Sequence, residues 1–190
     1  MHQIEPHYTW RHLYKSSKDP NSPFYGVQHS TFHFTHKIYN YVVHPQWDYF
    51  GSDTLLLKVL FVDYDEKYAI IEMMGEWNDA INNDIMLLKR DVIDPMLDCG
   101  IEKFILLCEN VINFHASDDS YYQEWWEDTP GGYVAFLHVR DHVYKDMYDA
   151  GFENYVRIPD DDEQTYKWKM QKPEHLFQLV DDMVMKQLSQ

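Results

Sequence analysis

Basic side chains are scarce in this sequence. Its 190 residues hold 16 Lys and Arg against 32 Asp and Glu, a formal charge of −16. A surface of that sign repels phosphodiester backbones and anionic lipid, which argues against nucleic acid or membrane as the main partner. Long apolar runs are missing too, and none approaches the roughly 18 residues of a membrane span. Met1 to Trp10 lack the charged-then-apolar pattern of a secretory leader. Cysteine is reduced to Cys99 and Cys108, whose spacing suits neither metal nor redox chemistry, so a reducing cytoplasm is the expected setting. Glycine, at 7, forms no phosphate-cradling loop, dinucleotide fingerprint or Gly-x-Ser-x-Gly elbow. No catalytic residue, metal or cofactor is assigned.

What is present suffices to fold. Hydrophobic residues at 45% provide a core for a chain of one domain's length. Residues 1–50, rich in His, Tyr, Pro and Ser, read as an N-terminal β extension, and residues 51–190 as the main domain. Within the extension, Phe32, Phe34, Ile38 and Val42 oppose Thr31, His33, Thr35 and Lys37. That alternation predicts a long strand over 31–43, laid beside or over the main sheet.

From Leu55 the pattern is regular. Leu55 to Val62 and Tyr68 to Met74 read as an antiparallel strand pair. A helix opened by Asn78 or Asp79 follows, its stripe formed by Ile81, Ile85, Leu88, Val92 and Met96. Pro95 predicts a kink or a fresh turn capped by Asp94, and Gly100 closes the helix. Phe104 to Cys108 and Tyr133 to Val139 are continuous apolar runs, the mark of parallel strands covered on both faces. Between them a helix starts after Ser117 and runs to about Asp128. Another starts at Asp141 with Tyr144, Met147 and Tyr148 inward, and Gly151 ends it. Short strands are expected near 155–158 and 165–170. Pro173 opens a last helix that buries Leu176, Leu179, Val180 and Met183. Such alternation demands an α/β fold with a mostly parallel sheet and right-handed crossovers.

Residues 55–158 resemble a STAS domain, the fold of the anti-sigma-factor antagonists. Three stretches carry the likeness. Gly75-Glu76 closes the antiparallel pair just before the first helix. Val111 to Asp119 follows the buried strand, where the family carries its Asp-Ser-Ser-Gly loop. Ala150-Gly151-Phe152 matches the small-Gly-apolar ending of the third helix. Within the loop Ala116 stands at the family's Asp, and Asp118 and Asp119 replace the second Ser and the Gly. Ser117 alone remains, at the position of the phosphorylated serine. The resemblance implies a STAS-like sheet with its helices packed on it, a regulatory role, and Ser117 as a candidate phosphoacceptor.

Read from the residues themselves, Ser117 is also a natural N-cap for the helix that follows it. That helix holds Asp118, Asp119, Glu124, Glu127 and Asp128 with no base, and two aromatic ridges, Tyr121 with Trp125 and Tyr122 with Trp126. One ridge suffices for the core. The other, with Asp118, Asp119, Tyr122, Trp125 and Trp126, is expected to offer an interaction face to a basic protein partner. The strand over 31–43 could also pair two copies into a homodimer.

Histidines His29, His33 and His36 are too far apart on a strand to share a metal. Cys108 with His115 has the residue types of a nucleophile pair, but Cys108 completes a buried apolar strand and reads as inert core. Two further readings stay open. One is a module for an apolar ligand or lipid, in a pocket lined by Phe32, Phe34, Trp125 and Trp126. The other is an enzyme using Glu109, Asn110, His115, Asp118, Arg140 and Asp141 at the C-terminal edge of the sheet. The favoured reading is a non-catalytic regulatory or protein-interaction protein.

Overall fold

The computed structural model describes residues 4–30, 32–34, 36–160 and 163–188. The segment expected as one strand over 31–43 contains a short hairpin instead, β1 (Lys37–Ile38) and β2 (Tyr41–Val42). Ile38 pairs with Tyr41, so Tyr39, at φ 53°, and Asn40 make a two-residue turn in the middle of the alternation. Thr31 and Thr35 lie outside the described residues. Phe32 is 85% exposed, and among the described residues of this segment Ile38, Val43 and Trp47 bury against Leu56 and Met74. The continuous edge on which two copies were to pair is therefore not formed.

The main sheet has four strands in sequence order: β3 (Leu55–Asp63), β4 (Tyr68–Asn78), β5 (Lys103–His115) and β6 (Tyr133–Leu137). The first pair is antiparallel and the other two are parallel, as the pattern predicts. Both outer strands are partly covered. Asp48 bridges to Leu57 on β3, and Arg157 bridges to Ala135 on β6. That one bridge is all that forms of the strand expected at 155–158.

Alternation along the strands divides the core in two. Leu57, Ile71, Met73, Leu106 and Phe136 face one layer of helices; Ile70, Ile105, Leu107, Ala135 and Leu137 face the other. The first layer holds α1 (Asp79–Asn82), α2 (Asp84–Leu88), a π-helical turn (Lys89–Ile93), α3 (Asp94–Asp98), α4 (Ser120–Glu127) and α5 (Asp141–Asp149). Pro95 lacks the N–H that the Asp91 carbonyl would accept, and the wider turn just ahead of it absorbs that loss. Ile81 departs from the predicted stripe and is 83% exposed. Asn83, left-handed at φ 53°, separates α1 from α2 and resets the helical phase. In α5 the buried pair is Val143 and Met147, while Tyr144 and Tyr148 face outward.

The second layer holds α6 (Glu163–Tyr166), a 3-10 turn (Trp168–Met170) and α7 (Pro173–Leu188). Thr165 and Trp168 bury three apart, a helical spacing where a strand was expected. α7 buries Leu176, Phe177, Val180 and Val184; Leu179 and Met183 are half-buried. Each fully buried side chain of this size is worth about 1.5–3 kcal/mol over leaving it in water. The extension closes the same layer. Trp10 packs edge-on to Trp168 at 5.6 Å and donates its indole N–H to the Gln171 carbonyl at 2.8 Å. His7 donates its backbone N–H to the buried Glu72 of β4 at 2.8 Å.

Gly75 shows why the end of β4 needs glycine. Its φ is +118°, and a Cβ there would lie 2.1 Å from the Thr54 carbonyl oxygen, which accepts the Glu76 N–H at 2.9 Å. Gly75→Ala is expected to cost on the order of 3 kcal/mol or more. Gly26→Ala, at φ +77° with open space around it, should cost about 1 kcal/mol. Urea unfolding of the two variants checks the contrast, and equal losses would contradict it.

Candidate functional site

β4 and β5 end side by side at Asn78 and His115, the carboxyl ends where open α/β sheets place their ligands. A buried polar network fills the inside of this end. The Asp79 carboxylate accepts the Trp77 indole N–H at 3.0 Å, the Ile85 N–H at 2.8 Å and the Tyr122 hydroxyl at 2.7 Å. Asp84 accepts the Asn78 N–H at 2.7 Å, and the Asn78 side chain caps α1 through the Ile81 N–H. Burial raises both carboxyls, that of Asp79 to about 6, although the three donors pull it the other way. At the rim, His115 Nε2 lies 3.0 Å from the buried Glu76 carboxylate.

Outside the network the chain runs through Ala116 to Asp119 into α4. Ser117 is exposed, two residues ahead of the N-cap, which is Asp119. It is not the cap that its position suggests. Asp119 turns its carboxylate to the Tyr155 hydroxyl at 3.0 Å, and Asp118 instead accepts the Ser120 N–H and hydroxyl. Next to the loop lies an open depression of about 500 Å³, bounded by Ala80, Phe114, His115, Ala116, Asp146 and Asp149.

α4 divides differently from the four-residue ridges. Tyr122 and Trp125, three apart, are both buried, and neither belongs to an outer face. Tyr122 anchors the helix to Asp79, and Trp125 packs edge-on to Phe104 at 5.3 Å. Ser120, Gln123, Trp126 and Glu127 look outward, with Trp126 48% exposed. The base that α4 lacks is supplied from the π turn. The Lys89 ammonium is fully buried among Asp94, Asp128 at 2.8 Å and Glu124 at 3.5 Å. Burial alone would depress its pKa, but the Asp128 and Asp94 carboxylates hold it raised. Arg90 adds a two-pronged contact to Glu124, at 2.5 and 2.7 Å. Asp94, Glu124 and Asp128 are close enough together to ligate a cation, and the Lys89 ammonium lies among them. Sequence spacing hid most of this cluster, since Glu124 and Asp128 lie more than thirty residues from Lys89 and only Asp94 is near it in the chain.

The remaining candidates do not converge. Glu109 and His115 stand six residues apart on β5, about 20 Å. Glu109 is paired with Lys169, while Arg140 donates to the Glu109 carbonyl at 3.1 Å. Cys108 is buried, and burial pushes its thiol well up. His29 pairs with Asp48, and His142 contacts the Ile112 carbonyl. Phe32 and Phe34 are exposed while Trp125 is in the core, so these residues do not line the apolar pocket expected of them.

No protein-family profile matches the chain, and no curated protein matches it. Solved structures do. The crystal structure of a candidate anti-sigma factor antagonist from Thermotoga maritima, TM1081, is similar over 60% of this chain and 93% of that one, at 17% identity and a TM-score of 0.42. The NMR structure of TM1081 is similar over 78% of this chain and 100% of that one, at 16% identity and a TM-score of 0.41. The phosphorylated form of the Bacillus cell fate determinant SpoIIAA is similar over 60% and 99%, at 11% identity and a TM-score of 0.39. The chain thus has a distant structural match to anti-sigma factor antagonists without a match at the level of sequence family. The likeness concerns fold alone.

Lys89→Met should cost about 1–3 kcal/mol, because Asp94, Glu124 and Asp128 lose their shared counter-ion but keep access to water. Arg90→Ala, at the exposed rim, should cost less; thermal unfolding ranks the two. Asp79 contributes to the pH dependence. Its folded pKa of about 6 lies above the unfolded value, so its contribution is full below about pH 4. It falls away as pH rises to about 6, by on the order of 2–3 kcal/mol. Glu72, raised to about 7 by burial, extends the fall upward, while His7, lowered to about 4 by burial, opposes it between about pH 4 and 6.5. Asp79→Asn should remove the Asp79 part, so that urea midpoints fall less, or rise more, from pH 4 to pH 6 than in the parent chain. An unchanged slope would contradict the assignment.

Proposed function

We propose that this chain is a non-catalytic regulatory protein of the cytoplasm that works by binding another protein. The contact face is the loop 116–119 together with the outward side of α4. Trp126 carries the reading. A large aromatic, half-exposed and rimmed by Glu127 and Asp128, has the composition of an interface anchor. The helix beneath it is held by Tyr122 to Asp79 and by Lys89 and Arg90 to the π turn. Trp126 therefore stands on a preorganised support. From Ser120 to Glu127 the helix spans about 10 Å, so one partner patch of about 800 Å² covers both the loop and Trp126. Acids dominate that patch, and the partner it fits is basic or amphipathic.

Native mass spectrometry of the protein purified gently from its own cells tests the reading. A stoichiometric protein partner is expected, held less tightly as salt rises. Trp126→Ala should weaken it by about thirtyfold while leaving stability within about 0.5 kcal/mol. Ser117→Asp, which adds charge of the sign already there, should tighten it and leave α4 folded. A partner indifferent to Trp126→Ala, or a bound small molecule with no protein, would sink the reading.

A further inference from the structure

Away from the loop 116–119 and α4, one region of the molecule collects charge of the other sign. Residues of the extension and of β3 enclose a cleft of about 460 Å³, a volume within the range of small-molecule sites. Its walls hold Arg11, Lys15, Lys18, Lys58, His7 and His29. Four of the 16 Lys and Arg of the chain thus meet here, and among the described residues no Asp or Glu lines the cleft. In a chain of charge −16 that segregation is opposite to what composition alone would give.

Four acids beside the cleft offset part of this charge: Asp19, which accepts from Tyr14, Glu72, which accepts from His7, and Asp48 and Glu5. Asp48, fully buried, holds His29 at 2.6 Å and Lys58 at 3.1 Å through one oxygen. Glu5 is 3.7 Å from Arg11, too far for a hydrogen bond, and the Arg11 Nη2 atom is buried without any hydrogen-bond acceptor. Lys15 and Lys18 have no ion-pair partner among the described residues. A buried donor left unpaired is costly unless something accepts from it. Trp10 and Leu60, which share one core layer, add apolar surface to the lining.

We propose that this cleft binds a small organic anion, a carboxylate or a phosphate ester. Its charged group would lie between Arg11, Lys15 and Lys18 and its apolar body against Trp10 and Leu60. The anion adds to Glu5 as a counter-charge for the Arg11 guanidinium and balances the two unpaired lysines; the apolar lining favours a ligand with an apolar portion over a bare inorganic ion. The site is separate from the Trp126 face and independent of the interaction reading.

Titration calorimetry on the full chain tests it with phenyl phosphate, benzoate and the uncharged phenol. One of the two anions is expected to bind saturably at one site, and which one does so distinguishes a phosphate ester from a carboxylate. Arg11→Ala should weaken that binding about tenfold. Lys15→Gln with Lys18→Gln, at exposed positions where folding is not at stake, should do so by about as much. Trp126→Ala should leave it unchanged. The proposal is overturned if neither anion binds at millimolar concentration, if phenol binds as tightly, or if the double lysine variant keeps full affinity.

Discussion

Every residue of β4 is buried, and the rest of the molecule is arranged around what that permits. A strand covered on both faces can carry a carboxylate only where a donor meets it. Three polar residues of β4 meet that condition, each by drawing in a different piece of chain. Glu72 takes the backbone N–H of His7 and so holds the extension against the sheet. Glu76 faces His115 on the neighbouring strand. Asn78 caps α1 and donates its backbone N–H to Asp84, beside the Trp77 indole that reaches Tyr122 on α4 through Asp79. Fold and candidate face therefore share one origin: the polar side chains of a strand that has no access to bulk water.

α4 shows how a helix can carry acids where its own dipole opposes them. Glu124, Glu127 and Asp128 lie in or near its last turn, where carboxylates are unfavourable. The compensation comes from Lys89, whose ammonium is buried against Asp128 and Glu124. Pro95 contributes indirectly. It removes one helical donor, the π turn over Lys89–Ile93 takes up the difference, and Lys89 and Arg90 both emerge toward α4. Outside this pairing, Glu127 and the loop residue Asp118 are exposed to solvent without a basic partner among the described residues.

The strands of the main sheet could be read in advance because β4, β5 and β6 are apolar enough to leave no other structure. The same method failed wherever a local turn interrupts the alternation or phase. Tyr39-Asn40 folds back the predicted strand over 31–43, and Asn83 frees Ile81 from its stripe. At α4 the four-residue ridges misled, since the sheet beneath takes Tyr122 and Trp125 at a spacing of three. Trp126 was recoverable as part of an expected outer face. The Lys89 cluster was not, because pairs between distant segments leave no trace in spacing.

The charge of −16 gains a structural meaning from its uneven placement. Uniformly spread, it would act mainly through self-repulsion and solubility. Instead, the carboxyl end of the sheet and α4 concentrate acids, while the cleft beside β3 collects Arg11, Lys15, Lys18 and Lys58. The two regions are mounted differently. The acidic face rides on α4, clamped to the core by Tyr122, Lys89 and Arg90. The basic cleft is built by the extension, which reaches the sheet through His7, Trp10 and the pairing of Asp48 with Lys58. Removing the extension would take away Arg11, Lys15 and Lys18 and leave Lys58 on β3, while sparing the contacts that hold α4, so each region can change without dismantling the other.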